Sequence, residues 1–168
     1  METKSIQSVL LFLSVFLLSL LLIECTPSKK VVAFQPGDAQ KMVNSHEFKF
    51  VAESANPLRL RVRHFTSRYD VIVKNDSLVS YLPYFGRAYQ APMNPSEGGI
   101  QFTSANFSYE VKPGKSNSWV ITIKPEDQPG VQQFYFNIFD NGSATLNVSS
   151  TYRDPISFLG YIEKVNNN

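Results

Sequence analysis

Phe134-Tyr135-Phe136-Asn137-Ile138-Phe139-Asp140-Asn141-Gly142-Ser143-Ala144-Thr145-Leu146-Asn147-Val148-Ser149 is the stretch that decides the fold class. Phe134, Phe136 and Ile138 share one side of a two-residue period. After the turn residues, Ala144, Leu146 and Val148 alternate with Thr145, Asn147 and Ser149. Successive side chains of a strand point to opposite faces, so each half reads as a strand with one face on a core. Asn-Gly takes positive φ at both centres of a two-residue type I′ turn with least strain. The sequence therefore predicts a tight hairpin at Asn141-Gly142.

The same period recurs on both sides. Phe48 and Phe50 flank Lys49, and Leu58-Arg59-Leu60-Arg61-Val62-Arg63 alternates more strictly, with three arginines on one solvated face. Tyr69 to Lys74 leads through the turn Asn75-Asp76 to Ser77–Leu82, and further runs follow at Ile100–Thr103, Phe107–Lys112, Trp119–Lys124 and Ile156–Ile162. Many short alternating segments with frequent turn residues predict an all-β fold. The expected form is a single antiparallel meander of about nine strands, rolled into a barrel or a sandwich. Aromatic residues are 13% of the chain, with 13 Phe and 8 Tyr against one Trp, a bias that suits strands. Asp38 is the expected N-cap of a short helix running to about Ser45.

Domain organisation follows from the first residues. Val9 to Ile23 carries no charge and has only Ser14 and Ser19 as polar interruptions, which is short for a spanning helix and right for the apolar core of a secretory signal. Cys25 is the single cysteine and stands directly after that run. Leu22-Ile23-Glu24-Cys25 resembles the lipobox of bacterial lipoproteins, whose cysteine becomes the acylated N-terminus, although Glu24 stands where Gly, Ala or Ser is usual. The expected parts are a signal peptide over 1–24, a tether over 25–37, a β domain over 38–165 and a disordered tail over 166–168. The expected location is the cell envelope, facing the periplasm or the cell surface, with the membrane as partner through a lipid anchor.

Hydrophobic residues at 43% and charged residues at 18% exclude wholesale disorder, and a net charge of +2 gives no electrostatic ground for a nucleic-acid partner. His46 and His64 have no third nitrogen or sulfur ligand in the sequence to build a zinc site, and no cofactor is expected. No serine sits in a G-x-S-x-G elbow, and neither a phosphate loop nor a dinucleotide fingerprint occurs. Glu126 and Asp127 read as a solvated turn. Asp76-Ser77-Leu78 looks like the short acceptor motif for O-glycosylation of exported Bacteroidetes proteins, with Ser77 as acceptor.

Alternation breaks at Tyr81-Leu82-Pro83-Tyr84-Phe85-Gly86-Arg87-Ala88-Tyr89, where four aromatic rings surround a Pro, a Gly and an Arg. Rings in such a segment either plug one end of the sheet or line a ligand-binding mouth. Phe85 is expected to behave as core. Tyr84, Arg87 and Tyr89 are the candidate rim for a ligand or partner.

The string LPYFGRAY, followed by GGIQF (98–102), YEVK (109–112), FDNGSATLNVSS (139–150) and PISFLGYIE (155–163), resembles a Bacteroidetes family of small exported, lipoprotein-like proteins that is known as a domain of unknown function. The resemblance runs from about residue 40 to 163. It implies a Bacteroidetes envelope and a compact domain, and no catalytic residues. The expected function is a non-enzymatic binding module for a small apolar ligand or a partner protein. The alternative is a structural or assembly subunit without a pocket, and a hydrolase stands third. The anchor generates the first prediction: Cys25→Ser moves the protein from the membrane to the soluble envelope fraction in a cell fractionation. Retention in the membrane with residues 1–24 attached marks an uncleaved helix instead.

Overall fold

A short helix, α1 (Asp38–Asn44), precedes nine strands: β1 (Phe48–Pro57), β2 (Arg63–Val73), β3 (Leu78–Leu82), β4 (Ile100–Ser104), β5 (Phe107–Pro113), β6 (Ser118–Pro125), β7 (Val131–Phe139), β8 (Ser143–Ser150) and β9 (Ile156–Glu163). The structure is a computed structural model that describes residues 34–35, 37–90 and 98–165. The expected signal segment, Cys25, nearly all of the tether and the tail lie outside the described residues.

The strands form one sheet in the order β4-β3-β2-β1-β9-β8-β7-β6-β5, every neighbour antiparallel. Sequence neighbours pair throughout except at one place: β4 and β5 stand at opposite edges, while β1 and β9 pair in the middle. Counting directions outward from the β1/β9 pair gives β4 and β5 the same sense. The link between them is only Ala105-Asn106. Two residues cannot carry the chain back along a strand length of roughly 17 Å. The chain therefore runs straight on, so that residues 100–113 act as one bent strand whose first half pairs with β3 and whose second half pairs with β6. This rolls the nine segments into a nearly closed, barrel-like sheet.

The loop after β6 fastens that corner. The Asp127 carboxylate accepts hydrogen bonds from the Ser104 hydroxyl (2.5 Å) and the Ala105 amide (3.1 Å), and the Glu126 amide donates to the Asn106 carbonyl at 2.8 Å. The bond from Ser104 holds the Asp127 carboxyl below the usual carboxylate range. Asp127 stays exposed in this turn, as expected, and also braces the corner.

Inside, the alternating residues are buried as their period requires. Phe48, Phe50, Phe134, Phe136 and Phe158 are fully buried with Ile121, Ile123, Ile138, Leu146 and Ile162. Phe48 and Phe50 of β1 meet Phe136 of β7 at 5.5 and 5.7 Å between ring centres, and Phe102 of β4 meets Phe134 at 5.8 Å. These edge-on contacts cross the interior between strands that are not neighbours in the sheet, so the interior is filled by side chains. Each buried ring contributes about 1.5–3 kcal/mol by its removal from water.

Helix α1 packs at the end where β1 begins and β9 finishes. It buries Ala39, Met42 and Val43, receives the Tyr109 hydroxyl on the Val43 carbonyl at 3.2 Å, and pairs Asp38 with Lys164 at 3.6 Å. Asp38 is the first helical residue rather than the N-cap. Gly37, in the left-handed region, is the cap, and the Asp38 carboxylate accepts from the Gln35 amide at 3.0 Å instead.

Two other expectations are corrected. Residues 58–62, read as an alternating strand, form the β1–β2 connection. Pro57 pairs with Ile156 as the last residue of the β1/β9 ladder, and the Leu/Arg alternation beyond it has no partner strand. The hairpin between β7 and β8 is present but is not a type I′ turn: Gly142 has φ 84° and Asn141 has no positive φ. The Gly142 amide donates to the Phe139 carbonyl at 3.0 Å, which makes a three-residue loop with a left-handed glycine at its end. Asn141 works through its side chain, accepting from the Ser143 amide and hydroxyl at 3.0 and 2.7 Å. A consecutive left-handed pair occurs at Ser116-Asn117.

A Cβ at Gly142 would sit in a left-handed conformation costing about 1–2 kcal/mol and would also meet the Phe34 ring. Gly130 has open space around its Cα. Gly142→Val should lower the thermal midpoint clearly, and Gly130→Ala should leave it within error. Equal shifts would remove the special role of this turn.

Candidate functional site

Strand β2 pairs regularly with β1 from Val73 opposite Phe48 to Tyr69 opposite Ala52; the next pair is His64 opposite Ser54. Between those pairs β1 has Glu53 alone, while β2 has Phe65, Thr66, Ser67 and Arg68. An uneven count forces the longer side out of the ladder and bends the strand. Strand β1 is itself kinked here against β9, with Ala52 opposite Gly160 and Ser54 opposite Leu159. The kink brings the Val51 carbonyl so close to Gly160 that a Cβ there would overlap it. Only glycine fits.

The excursion of β2 makes a hollow of about 340 Å³ lined by Arg63, His64, Phe65, Thr66, Ser67, Tyr69 and Phe85. Its floor is aromatic. Phe65 packs on Tyr69 at 4.9 Å, on Phe85 at 6.3 Å and on the core ring Phe158 at 6.4 Å. The Arg63 guanidinium lies 4.7 Å over the Phe85 ring. Arg68 is drawn away to the outer face, where it binds the Glu163 carboxylate beside Lys49, itself 3.6 Å from Asp70 and 3.4 Å from Glu163. The residues around the hollow thus supply one guanidinium, one imidazole and three hydroxyls with three rings. That set suits a ligand with an apolar body and an acidic or polar end.

The candidate rim residues lie beside this hollow, in a strap. Tyr84 is half-buried, and its hydroxyl stands within donating distance of the Arg87 carbonyl (2.9 Å) and the Asp154 carbonyl (3.1 Å). The Tyr89 amide donates to the Tyr152 carbonyl at 2.7 Å, and the Asp154 amide donates to the Arg87 carbonyl at 3.0 Å. Residues 84–89 are thereby stitched to the β8–β9 corner. Asp154 is the centre of the stitching: its buried carboxylate accepts from the Tyr89 hydroxyl and from Arg59 Nε at 3.3 Å. The bond to Asp154 raises the Tyr89 phenol above its ordinary range; burial, then the Asp154 charge, raise that of Tyr84. Arg153 covers the Tyr84 ring at 5.0 Å and donates to the Gly99 carbonyl at 2.8 Å. Arg87, exposed, lies 5.9 Å over the Tyr89 ring.

The aromatic segment is thus divided. Phe85 belongs to the hollow, whereas Tyr84, Arg87 and Tyr89 belong to the strap. Ser77 lies at the other end of the barrel, in the β2–β3 turn, where its hydroxyl donates to Asp76 at 3.2 Å. His46 stacks 4.0 Å from the Tyr109 ring near α1, so the two histidines are at opposite ends. Sequence reasoning missed Arg63, His64, Phe65 and Tyr69 as a group. The available signal was Ser67, a polar residue midway between Phe65 and Tyr69 where a regular strand places an apolar one.

The strap carries a prediction. Asp154→Ala leaves the Tyr89 hydroxyl and Arg59 without their acceptor and should cost about 1–3 kcal/mol in chemical denaturation. Arg87→Ala, at an exposed position, should stay within about 0.5 kcal/mol. A silent Asp154→Ala would show that the strap is not held by this carboxylate.

Comparison with known proteins bears on the fold. A crystal structure of a DUF4251 family protein from Bacteroides eggerthii superposes with a TM-score of 0.56 at 14% identity, covering 79% of this chain and 89% of that one. At that identity the likeness concerns the fold alone. No curated protein matches the chain. The model of the domain of unknown function DUF4251 matches residues 35–162, from just before α1 to the last residue but one of β9, and the chain belongs to that family.

Proposed function

We propose that this protein is an exported, membrane-anchored binding module of the cell envelope, and that the hollow of β2 is its ligand site. The ligand class is a small molecule with an apolar or aromatic body and a carboxylate or phosphate end. One observation carries the reading: three residues beyond what the β1 ladder accommodates are spent on a hollow that places Arg63 and His64 beside Phe65, Tyr69 and Phe85. A bulge of this kind re-aims side chains and often accompanies a site. Cys25 supplies the anchor in this reading.

The filled barrel interior favours a second reading, a subunit that acts by assembly. Calorimetric titration with a panel of aryl and alkyl carboxylates separates the two. Binding should appear for at least one member, and Arg63→Gln and Phe85→Ala should each weaken it about tenfold, the scale of losing one anchoring contact. Arg63 is exposed, so its variant should keep the native melting temperature. Binding that neither variant alters would place the ligand elsewhere. The absence of any binding, with a concentration-dependent mass in solution, would favour assembly.

A further inference from the structure

The β1–β2 connection, Leu58-Arg59-Leu60-Arg61-Val62, exposes three aliphatic side chains within five residues: Leu58 at 61%, Leu60 at 51% and Val62 at 49%. Isolated exposed leucines are ordinary on protein surfaces; three in one loop tip, each separated by an arginine, are not. From Pro57 to His64 the chain carries three arginines and no acid. Asp154 takes Arg59, and Arg63 lies on Phe85, but Arg61 has no ion-pair partner among the described residues. Asp154 also ties the base of the loop to the strap, which brings two further exposed rings to the same end: Tyr89 at 62% and Tyr152 at 45%.

We infer that this end of the barrel docks on an anionic lipid surface. Leu58, Leu60 and Val62 enter the boundary between headgroups and acyl chains, Arg61 pairs with lipid phosphates, and Tyr89 and Tyr152 rest at headgroup level. An aliphatic tip with a collar of arginine and tyrosine is the composition that partitions into an interface. Arginine matches phosphate geometry and keeps its charge there. A protein partner of matching shape would bury flat apolar area, whereas these side chains stand on a short connection outside the sheet ladder. The docking is independent of any ligand in the hollow. It also differs from the N-terminal anchor, because it uses the side chains of residues 58–62 and no acyl chain on Cys25.

The test uses the full chain with Leu60→Cys in a Cys25→Ser background, so that a single environment-sensitive nitrobenzoxadiazole label reports from the loop. The chain is mixed with vesicles of phosphatidylcholine alone, or with part of that lipid replaced by phosphatidylglycerol. The label should brighten and shift to the blue with phosphatidylglycerol and not with phosphatidylcholine. The same label at Asn75→Cys, exposed in the β2–β3 turn at the other end of the barrel, should not change. Adding Arg61→Gln should lower the docking equilibrium about fivefold, the weight of one cation near an anionic surface. Emission that is unchanged, or equal on the two vesicle types, overturns the proposal. So does a response to soluble polyglutamate without one to vesicles, which would assign the loop to an acidic protein.

Discussion

Ala105 and Asn106 leave the chain no room to turn back between β4 and β5, and the shape of the molecule follows from that. With β1 paired to β9, directions around the sheet are fixed, and β4 and β5 carry the same sense. Nine antiparallel strands cannot close a cylinder by simple alternation. Running β4 on into β5 removes the conflict, since the two segments then count as one member of the ring. The constraint also explains why an acidic loop braces the corner. A bent strand has unpaired backbone groups at its bend, and Asp127 with the amide of Glu126 satisfies those of Ala105 and Asn106.

Most of this architecture was legible in the sequence, because period-two burial is a local property. Phe134, Phe136 and Ile138, or Ala144, Leu146 and Val148, carry their own instruction about which side faces in. Closure was not legible. Whether a meander becomes a barrel or a sandwich depends on the parity of strand directions, which appears only when the β1/β9 pair is known. Turn chemistry was half legible. Asn141-Gly142 does mark a hairpin, but the glycine alone takes the left-handed conformation, and the asparagine contributes a side-chain cap that favours the same turn by another route.

The aromatic segment shows how one motif is divided between two tasks. Its rings read alike in sequence, yet adjacent residues serve different neighbours. Tyr84 and Tyr89 carry a hydroxyl and find acceptors at the β8–β9 corner; Phe85 has none and lies on Phe65 under Arg63. The difference is a single oxygen atom. A half-buried hydroxyl such as that of Tyr84 needs a hydrogen-bond partner, so it goes where one is available, and phenylalanine takes the remaining apolar contact. The β2 side of the hollow was hidden for a related reason. A bulge arises from the mismatch between two strands, and neither strand records that mismatch alone.

Leu58 to Val62 makes the same point from the opposite direction. Its alternation is as strict as any in the chain, and it forms no strand. Period two is a necessary mark of a half-buried strand and not a sufficient one, because a ladder also needs a partner with free backbone groups. Beyond Pro57 the β1/β9 ladder has run out, and β2 joins β1 again only at Arg63. The pattern is then left on a connection, with its apolar residues in water. A chain that needed only a turn here would have used small polar residues, which expose little apolar area. Three aliphatic side chains set among arginines hold their place at a cost in solubility, and an interface that covers them offsets that cost.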